Sequence, residues 1–214
     1  MSPKYYIFDA DGVLIDSLST ACRMFNLIAD EYFPCLPKVV NQEDMALAYP
    51  GLFRTSFKRF GLDEQDVIKF FDLHTEQMSK HVDELIPFEL VLRAISESVA
   101  GRCAIVTSSC SETVRAVLSK STFYNDDMFT DILGREYRQT KTAKISNLLK
   151  NVGIDASEAI YFGDMVSDIL YCRGVPIRIA AVGYGYQPMD YLSAFDPDHI
   201  LPSQQSLASF LKGF

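Results

Sequence analysis

Lys4 to Asp9 runs Lys-Tyr-Tyr-Ile-Phe-Asp, a short aromatic and β-branched stretch that stops at acidic residues and Gly12, as a buried strand ending in a loop does. Beyond it, Ala21, Phe25, Ile28, Ala29 and Tyr32 recur at helical spacing, Pro34 and Pro37 interrupt, and further helical patterns cover Phe53 to Phe60 and Val67 to Met78. Residues 17–85 therefore read as all-helical. After Pro87 strands and helices alternate: Cys103 to Val106 reads as a strand, Thr113 to Leu118 as a helix and Phe129 to Leu133 as a weak strand. Ile145, Leu148, Leu149 and Val152 form a helical stripe closed by Gly153, Ala159 to Phe162 and Ile177 to Val182 read as strands, and a last helix lies near Leu207 to Leu211. No internal repeat is present. The alternation predicts an α/β fold, a doubly wound parallel sheet.

The helical stretch falls between the first strand and the rest of the sheet, so it reads as an insertion. The expected division is a core of residues 1–16 and 86–214 and a helical cap of residues 17–85. In open α/β sheets ligands bind at the carboxyl edge of the strands, and a helical module over that edge acts as a lid.

Composition adds limits. With 214 residues, 48% hydrophobic and 22% charged, the chain has the profile of an ordinary globular protein able to bury a large core. Twenty Lys and Arg stand against 28 Asp and Glu, a net charge of -8, so the long-range field repels nucleic acid and anionic membranes. A pocket that takes a small phosphorylated molecule needs only a few residues and is compatible with that charge. Five cysteines, odd in number and without a C-x-x-C pair or a histidine cluster, argue against a disulfide framework or a zinc site. No apolar run approaches membrane-spanning length, and the start has no basic stretch leading into one. The expected location is cytoplasmic, as a monomer or homodimer.

Four local features carry chemistry. The first is Asp9-Ala10-Asp11-Gly12-Val13-Leu14-Ile15-Asp16-Ser17, a carboxylate pair directly after a strand; alone it also suits a polar turn. The second is Gly163-Asp164-Met165-Val166-Ser167-Asp168, again after a strand, whose acids also suit a helix N-terminus. Parallel strands bring both loops to one edge, where Asp9, Asp164 and Asp168 can surround a hard divalent cation, magnesium rather than zinc. The third is Thr107-Ser108-Ser109 after the 103–106 strand, with hydroxyls and amides suited to phosphate oxygens or simply to capping. The fourth is Lys141, ahead of the 145–152 helix, whose ammonium can neutralise a phosphoryl group; Lys144, one turn on, can share its face.

In this order and at strand ends, these features resemble the haloacid dehalogenase superfamily, most closely its phosphoglycolate-phosphatase-like members with a helical cap inserted after the first motif. The resemblance implies a magnesium-dependent phosphatase acting on a small phosphorylated metabolite. It implies Asp9 as the nucleophile that forms an aspartyl-phosphate and Asp11 as general acid and then base. It also implies Asp9, the backbone carbonyl of Asp11, Asp164 and Asp168 around magnesium, with Thr107, Ser108 and Lys141 on the phosphoryl oxygens. The aspartate at position 11 favours phosphoryl transfer over dehalogenation; a sugar-phosphate phosphomutase and a non-catalytic phosphate-binding protein are the rival readings. Tyr171-Cys172-Arg173-Gly174 replaces the small-residue stretch common in relatives. Arg54 and Lys58, four apart in the cap, are candidates for the substrate's leaving group, against a plain solvated helix face. His74, His81 and His199 receive no role.

Overall fold

The computed structural model describes residues 2–213, apart from the side chain of Arg54. The chain forms β1 (Tyr5–Phe8) and β2 (Ile15–Asp16), then α1 (Leu18–Tyr32), α2 (Gln42–Ala48), α3 (Phe53–Lys58) and α4 (Glu64–Lys80), and returns through β3 (Ile86–Pro87). The remainder is α5 (Glu89–Ser98), β4 (Cys103–Val106), α6 (Ser111–Leu118), β5 (Ile132–Leu133), α7 (Lys141–Val152), β6 (Ala159–Gly163), α8 (Val166–Cys172), β7 (Arg178–Val182), α9 (Met189–Ser193), β8 (His199–Leu201) and α10 (Gln204–Lys212).

Six strands make one sheet in the order β5-β4-β1-β6-β7-β8, every pair parallel. The expected doubly wound parallel sheet is the fold. Both faces are covered, as parallel sheets require. Tyr6, Phe8, Ile105 and Phe162 point into one core with Val91, Leu92, Ile95, Leu207 and Leu211 of α5 and α10. Tyr5, Ile7, Val106 and Tyr161 point into the other with Ile145, Leu148 and Leu149 of α7 and Val166 and Ile169 of α8. The period-2 alternation of a strand makes this division. On the first face Phe8 stacks on Phe162 with ring centroids 4.7 Å apart.

β1 lies between β4 and β6, from which the sheet winds in opposite directions, so the switch point sits at the carboxyl end of β1. The helical stretch leaves and re-enters beside that end. Its two connections pair as an antiparallel ribbon, Ile15 opposite Pro87 and Asp16 opposite Ile86, an element too short for any sequence periodicity. Within the stretch α1 packs on α4 around Phe25, Phe57 and Phe70, with Phe57 and Phe70 edge-on at 4.9 Å. Asp63 and Asp66 form a reciprocal capping box that starts α4.

One expectation on extent needs correction. Of the predicted 129–133 strand only Ile132 and Leu133 pair in register with β4; Thr130 still bonds the Cys103 carbonyl through its N–H and its hydroxyl. The C-terminal region contributes a further strand, β8, whose alternation is hidden in a three-residue span. Among the described residues no helix is long and apolar enough to cross a membrane.

Candidate active site

Asp9 follows β1 directly. Its N–H donates to the Phe162 carbonyl at 2.9 Å, which continues the β1–β6 ladder one step into the loop. Its carboxylate accepts the Ala10 N–H at 2.8 Å through Oδ1 and the Lys141 ammonium at 2.5 Å through Oδ2. The next residues wind tightly, with the Val13, Leu14 and Ile15 amides all donating to the Ala10 carbonyl. Gly12 has φ +74°, and a Cβ there would lie 1.9 Å from Asp164 Oδ2. Only glycine both adopts this left-handed turn without cost and lets the two acidic loops touch. Asp11 turns its carboxylate to the Ser109 hydroxyl; burial raises its pKa, against the lowering effect of hydrogen bonds from Ser109 and Ser17.

Asp164 and Asp168 follow β6. Asp164 Oδ2 accepts the Tyr186 N–H at 2.7 Å. Asp168 accepts Lys141 at 2.6 Å through Oδ1 and the Met165 N–H at 3.1 Å through Oδ2. Asp9, Asp164 and Asp168 are 7%, 1% and 0% exposed, and each offers an oxygen within 4.8 Å of the others. Burial holds the pKa of Asp164 well above the carboxylate range, reinforced by the Asp168 and Asp9 charges. Burial raises Asp168 too, with Lys141 pulling the other way. For Lys141 burial opposes the charge, but Asp168 and Asp9 overcome it and hold its pKa well above the usual lysine value.

This donor set fits a hard divalent cation. Three buried carboxylates face one ammonium, an excess of negative charge that burial makes costly, and an all-oxygen set suits magnesium. Asp11 adds no side-chain oxygen to the cluster, since its carboxylate faces Ser109. Only its backbone carbonyl is left for the metal role that the resemblance gave it.

Lys141 is the first residue of α7, where the Thr140 hydroxyl caps the helix by accepting the Ala143 N–H at 3.2 Å. The same helix turns Lys144 elsewhere: its ammonium donates to the carbonyls of Gly134 at 2.6 Å and Thr107 at 2.8 Å. Burial, then the Lys141 charge, pushes Lys144 down to about 8. Of the two lysines, Lys141 meets the carboxylates and Lys144 braces the loop below Thr107.

Above the acids opens a cleft with a volume of about 90 Å³. Thr107, Ser108 and Lys141 line it together with Asp9, Asp11 and Asp164. Thr107 is buried and its Oγ1 accepts the Ser109 N–H at 3.1 Å; Ser108 is exposed. The opposite wall comes from the helical stretch: Met45, Tyr49, Phe53, Phe71 and Met78, with Phe53 and Phe71 rings 4.8 Å apart. Lys58 is exposed and is not among the lining residues. The Arg54 side chain lies outside the described residues.

His74, which had no role on sequence grounds, lines the cleft. Its Nε2 bonds the Ala21 carbonyl at 3.3 Å, and burial depresses its pKa to about 4. Sequence reading named Ser109 only within the hydroxyl run and passed over Tyr186; both are in the lining. Ser109 closes the hydroxyl run 107–109; Tyr186 sits in Gly183-Tyr184-Gly185-Tyr186, where glycines after a strand mark a close backbone approach. A Cβ on Gly185 would lie 2.3 Å from Asp164 Oδ2.

The chain is similar in sequence and in fold to known proteins. The chain is 28% identical over 207 residues to pyrophosphatase PpaX of Halalkalibacterium halodurans, covering 94% of this chain and 93% of that protein. It is 25% identical to phosphoglycolate phosphatase of Synechococcus elongatus, with the same coverage. A crystal structure of a predicted phosphatase from Clostridium acetobutylicum superposes with a TM-score of 0.74 at 19% identity, covering 100% of both chains. The family described as haloacid dehalogenase-like hydrolase matches residues 6–182, a span that takes in both acidic loops, the hydroxyl run and Lys141, and the chain belongs to that family of enzymes.

Proposed function

We propose that the protein is a magnesium-dependent phosphatase that hydrolyses a small phosphate monoester through an aspartyl-phosphate on Asp9. The observation that carries the reading is the lysine bridge: the Lys141 ammonium lies 2.5 Å from Asp9 and 2.6 Å from Asp168, fixing a carboxylate nucleophile at the floor of the cleft. A phosphate dianion repels that carboxylate, so positive charge has to gather on the phosphoryl oxygens before attack. Lys141 supplies part of it, and Thr107 and Ser108 supply hydrogen bonds. Asp9, Asp164 and Asp168, with the backbone carbonyl of Asp11, would hold magnesium, whose charge offsets the rest.

In the first step an Asp9 oxygen forms a bond to phosphorus, the bond from phosphorus to the leaving oxygen breaks, and Asp11 gives that oxygen its proton. In the second, water attacks the same phosphorus, Asp11 takes the water proton, and phosphate leaves as Asp9 is regenerated. The raised pKa of Asp11 suits a group that must begin protonated. Residues 1–16 and 86–214 act as the core, and residues 17–85 act as a cap moving on the β2–β3 ribbon to exclude bulk water. The aromatic wall suits an organic leaving group, and the five free cysteines suit a reducing cytoplasm.

The test is phosphate release from a panel of sugar phosphates, short organic-acid phosphates including phosphoglycolate, pyrophosphate and nucleoside monophosphates, with magnesium or with chelator. Release that needs magnesium and disappears in Asp9→Asn supports the reading. Full turnover by Asp9→Asn overturns the nucleophile, and isomerised product without net phosphate release overturns hydrolysis in favour of a mutase.

A further inference from the structure

Gln187 is fully buried, and its amide is shared between the two halves of the cleft. Its Oε1 accepts the Val166 N–H at 2.6 Å. Val166 opens α8 between Asp164 and Asp168, so this N–H is one of the first-turn donors that a helix leaves without an internal partner. Its Nε2 donates at 2.8 Å to the carbonyl of Tyr49, at the end of α2. The Tyr49 ring belongs to the aromatic wall, edge-on to Phe53 at 5.2 Å. One side chain therefore ties the wall to the acidic loop.

The surrounding loop strengthens the connection. Gln42 of α2 donates to the carbonyls of Gly185 at 2.7 Å and Gly183 at 3.3 Å. The Tyr191 hydroxyl donates to the Pro50 carbonyl at 3.3 Å, while the Tyr186 N–H holds Asp164. The segment after β7 thus touches the helical stretch with some of its groups and the acidic cluster with others.

We propose that Gln187 is a positioning residue that couples the seat of the helical wall to the acidic loop, so that closure of the wall and binding at the carboxylates favour one another. The identity of the ligand rests on the phosphatase reading; the bonds themselves do not. Glutamine suits the task because one planar amide offers an acceptor to Val166 and a donor to Tyr49 at once. Opening of the wall about the β2–β3 ribbon breaks the bond to Tyr49 and leaves the bond to Val166 intact. A ligand that fixes the acidic loop, and with it Gln187, makes that closing bond easier to form, and the effect is reciprocal.

Gln187→Glu, read at alkaline pH where its carboxyl is ionised, separates the two contacts. It keeps an acceptor for Val166 and sets an oxygen against the Tyr49 carbonyl, whereas Gln187→Leu removes both. The experiment is hydrogen exchange over residues 45–57 and 163–172 in chelator, with magnesium, and with magnesium plus inorganic phosphate, alongside kcat and KM for p-nitrophenyl phosphate. In the parent both segments should gain protection together when magnesium and phosphate are added. In Gln187→Glu residues 163–172 should still gain it, residues 45–57 should exchange about tenfold faster than in the parent and ignore the ligand, and KM should rise about tenfold.

Joint protection in Gln187→Glu equal to that of the parent overturns the proposal, as does a parent in which residues 45–57 ignore the ligand that protects 163–172. Should Gln187→Glu fail to fold, Gln42→Ala removes the neighbouring bonds to the 183–185 carbonyls and should loosen residues 45–57 in the same direction. A parent without phosphate release sinks the phosphatase reading, and the exchange difference in chelator then tests the coupling by itself.

Discussion

Replacing Asp164 by Asn should stabilise the metal-free protein while ending its response to magnesium. Asp164 has an oxygen within 4.8 Å of one on Asp9 and one on Asp168, a separation at which each like-charged pair costs about 3 kcal/mol at an effective dielectric of about 20. Two terms reduce the gain: the attraction of Asp164 to Lys141 is lost as well, and proton uptake by the crowded carboxyls already relieves part of the repulsion. A net stabilisation of about 2 kcal/mol is the expected remainder. Asparagine keeps an acceptor for the Tyr186 N–H, which Asp164 now binds at 2.7 Å, so the loop retains its shape. For a chain of this size the melting temperature should rise by about 4 to 8 °C in chelator. The assay is thermal unfolding of both proteins in chelator and across a magnesium titration. Magnesium should raise the parent's melting temperature progressively, as any ligand selective for the native state does, and leave Asp164→Asn nearly unmoved. A variant less stable than the parent in chelator would refute the repulsion argument, and one that responds to magnesium like the parent would refute the metal site.

Lys141→Met should have the opposite sign: it leaves Asp9 and Asp168 buried without their cation, so urea unfolding in chelator should show a loss of about 3 to 5 kcal/mol, with phosphatase turnover falling below detection. Gly12→Ala should cost about 1 to 2 kcal/mol for the left-handed backbone alone and should weaken magnesium binding, measured by calorimetry, because its methyl group displaces Asp164. His74 has the ordinary histidine pKa of 6.5 in the unfolded chain, and burial pushes it down to about 4 in the native protein. Between those values the unfolded state binds more protons, so the contribution of His74 to stability is complete above about pH 6.5 and is lost as pH falls towards 4, up to about 3 kcal/mol. Urea midpoints across that window should slope less steeply for His74→Gln, and equal slopes would show that the histidine is not buried in its neutral form.

The sequence by itself determined the sheet and the floor of the site. Each central strand is a short apolar run, and in a parallel sheet buried on both faces such runs are the direct imprint of burial. Asp9, Thr107 and Asp164 follow three of these runs, and Lys141 opens a helix whose stripe and closing Gly153 were legible, so parallel order alone brought them to one edge. What sequence could not decide was which way a side chain turns. Lys141 and Lys144 lie on one helix, and only packing sends one to Asp9 and the other to the Gly134 carbonyl. The wall of Tyr49, Phe53 and Phe71 was indistinguishable from helical core, because burial against a neighbour and exposure to a cleft leave the same apolar pattern. The β2–β3 ribbon and the reach of Gln187 across 138 positions to Tyr49 had no local signal. Pairing across that distance is settled by how the helical stretch seats on the sheet, which is a property of the tertiary structure.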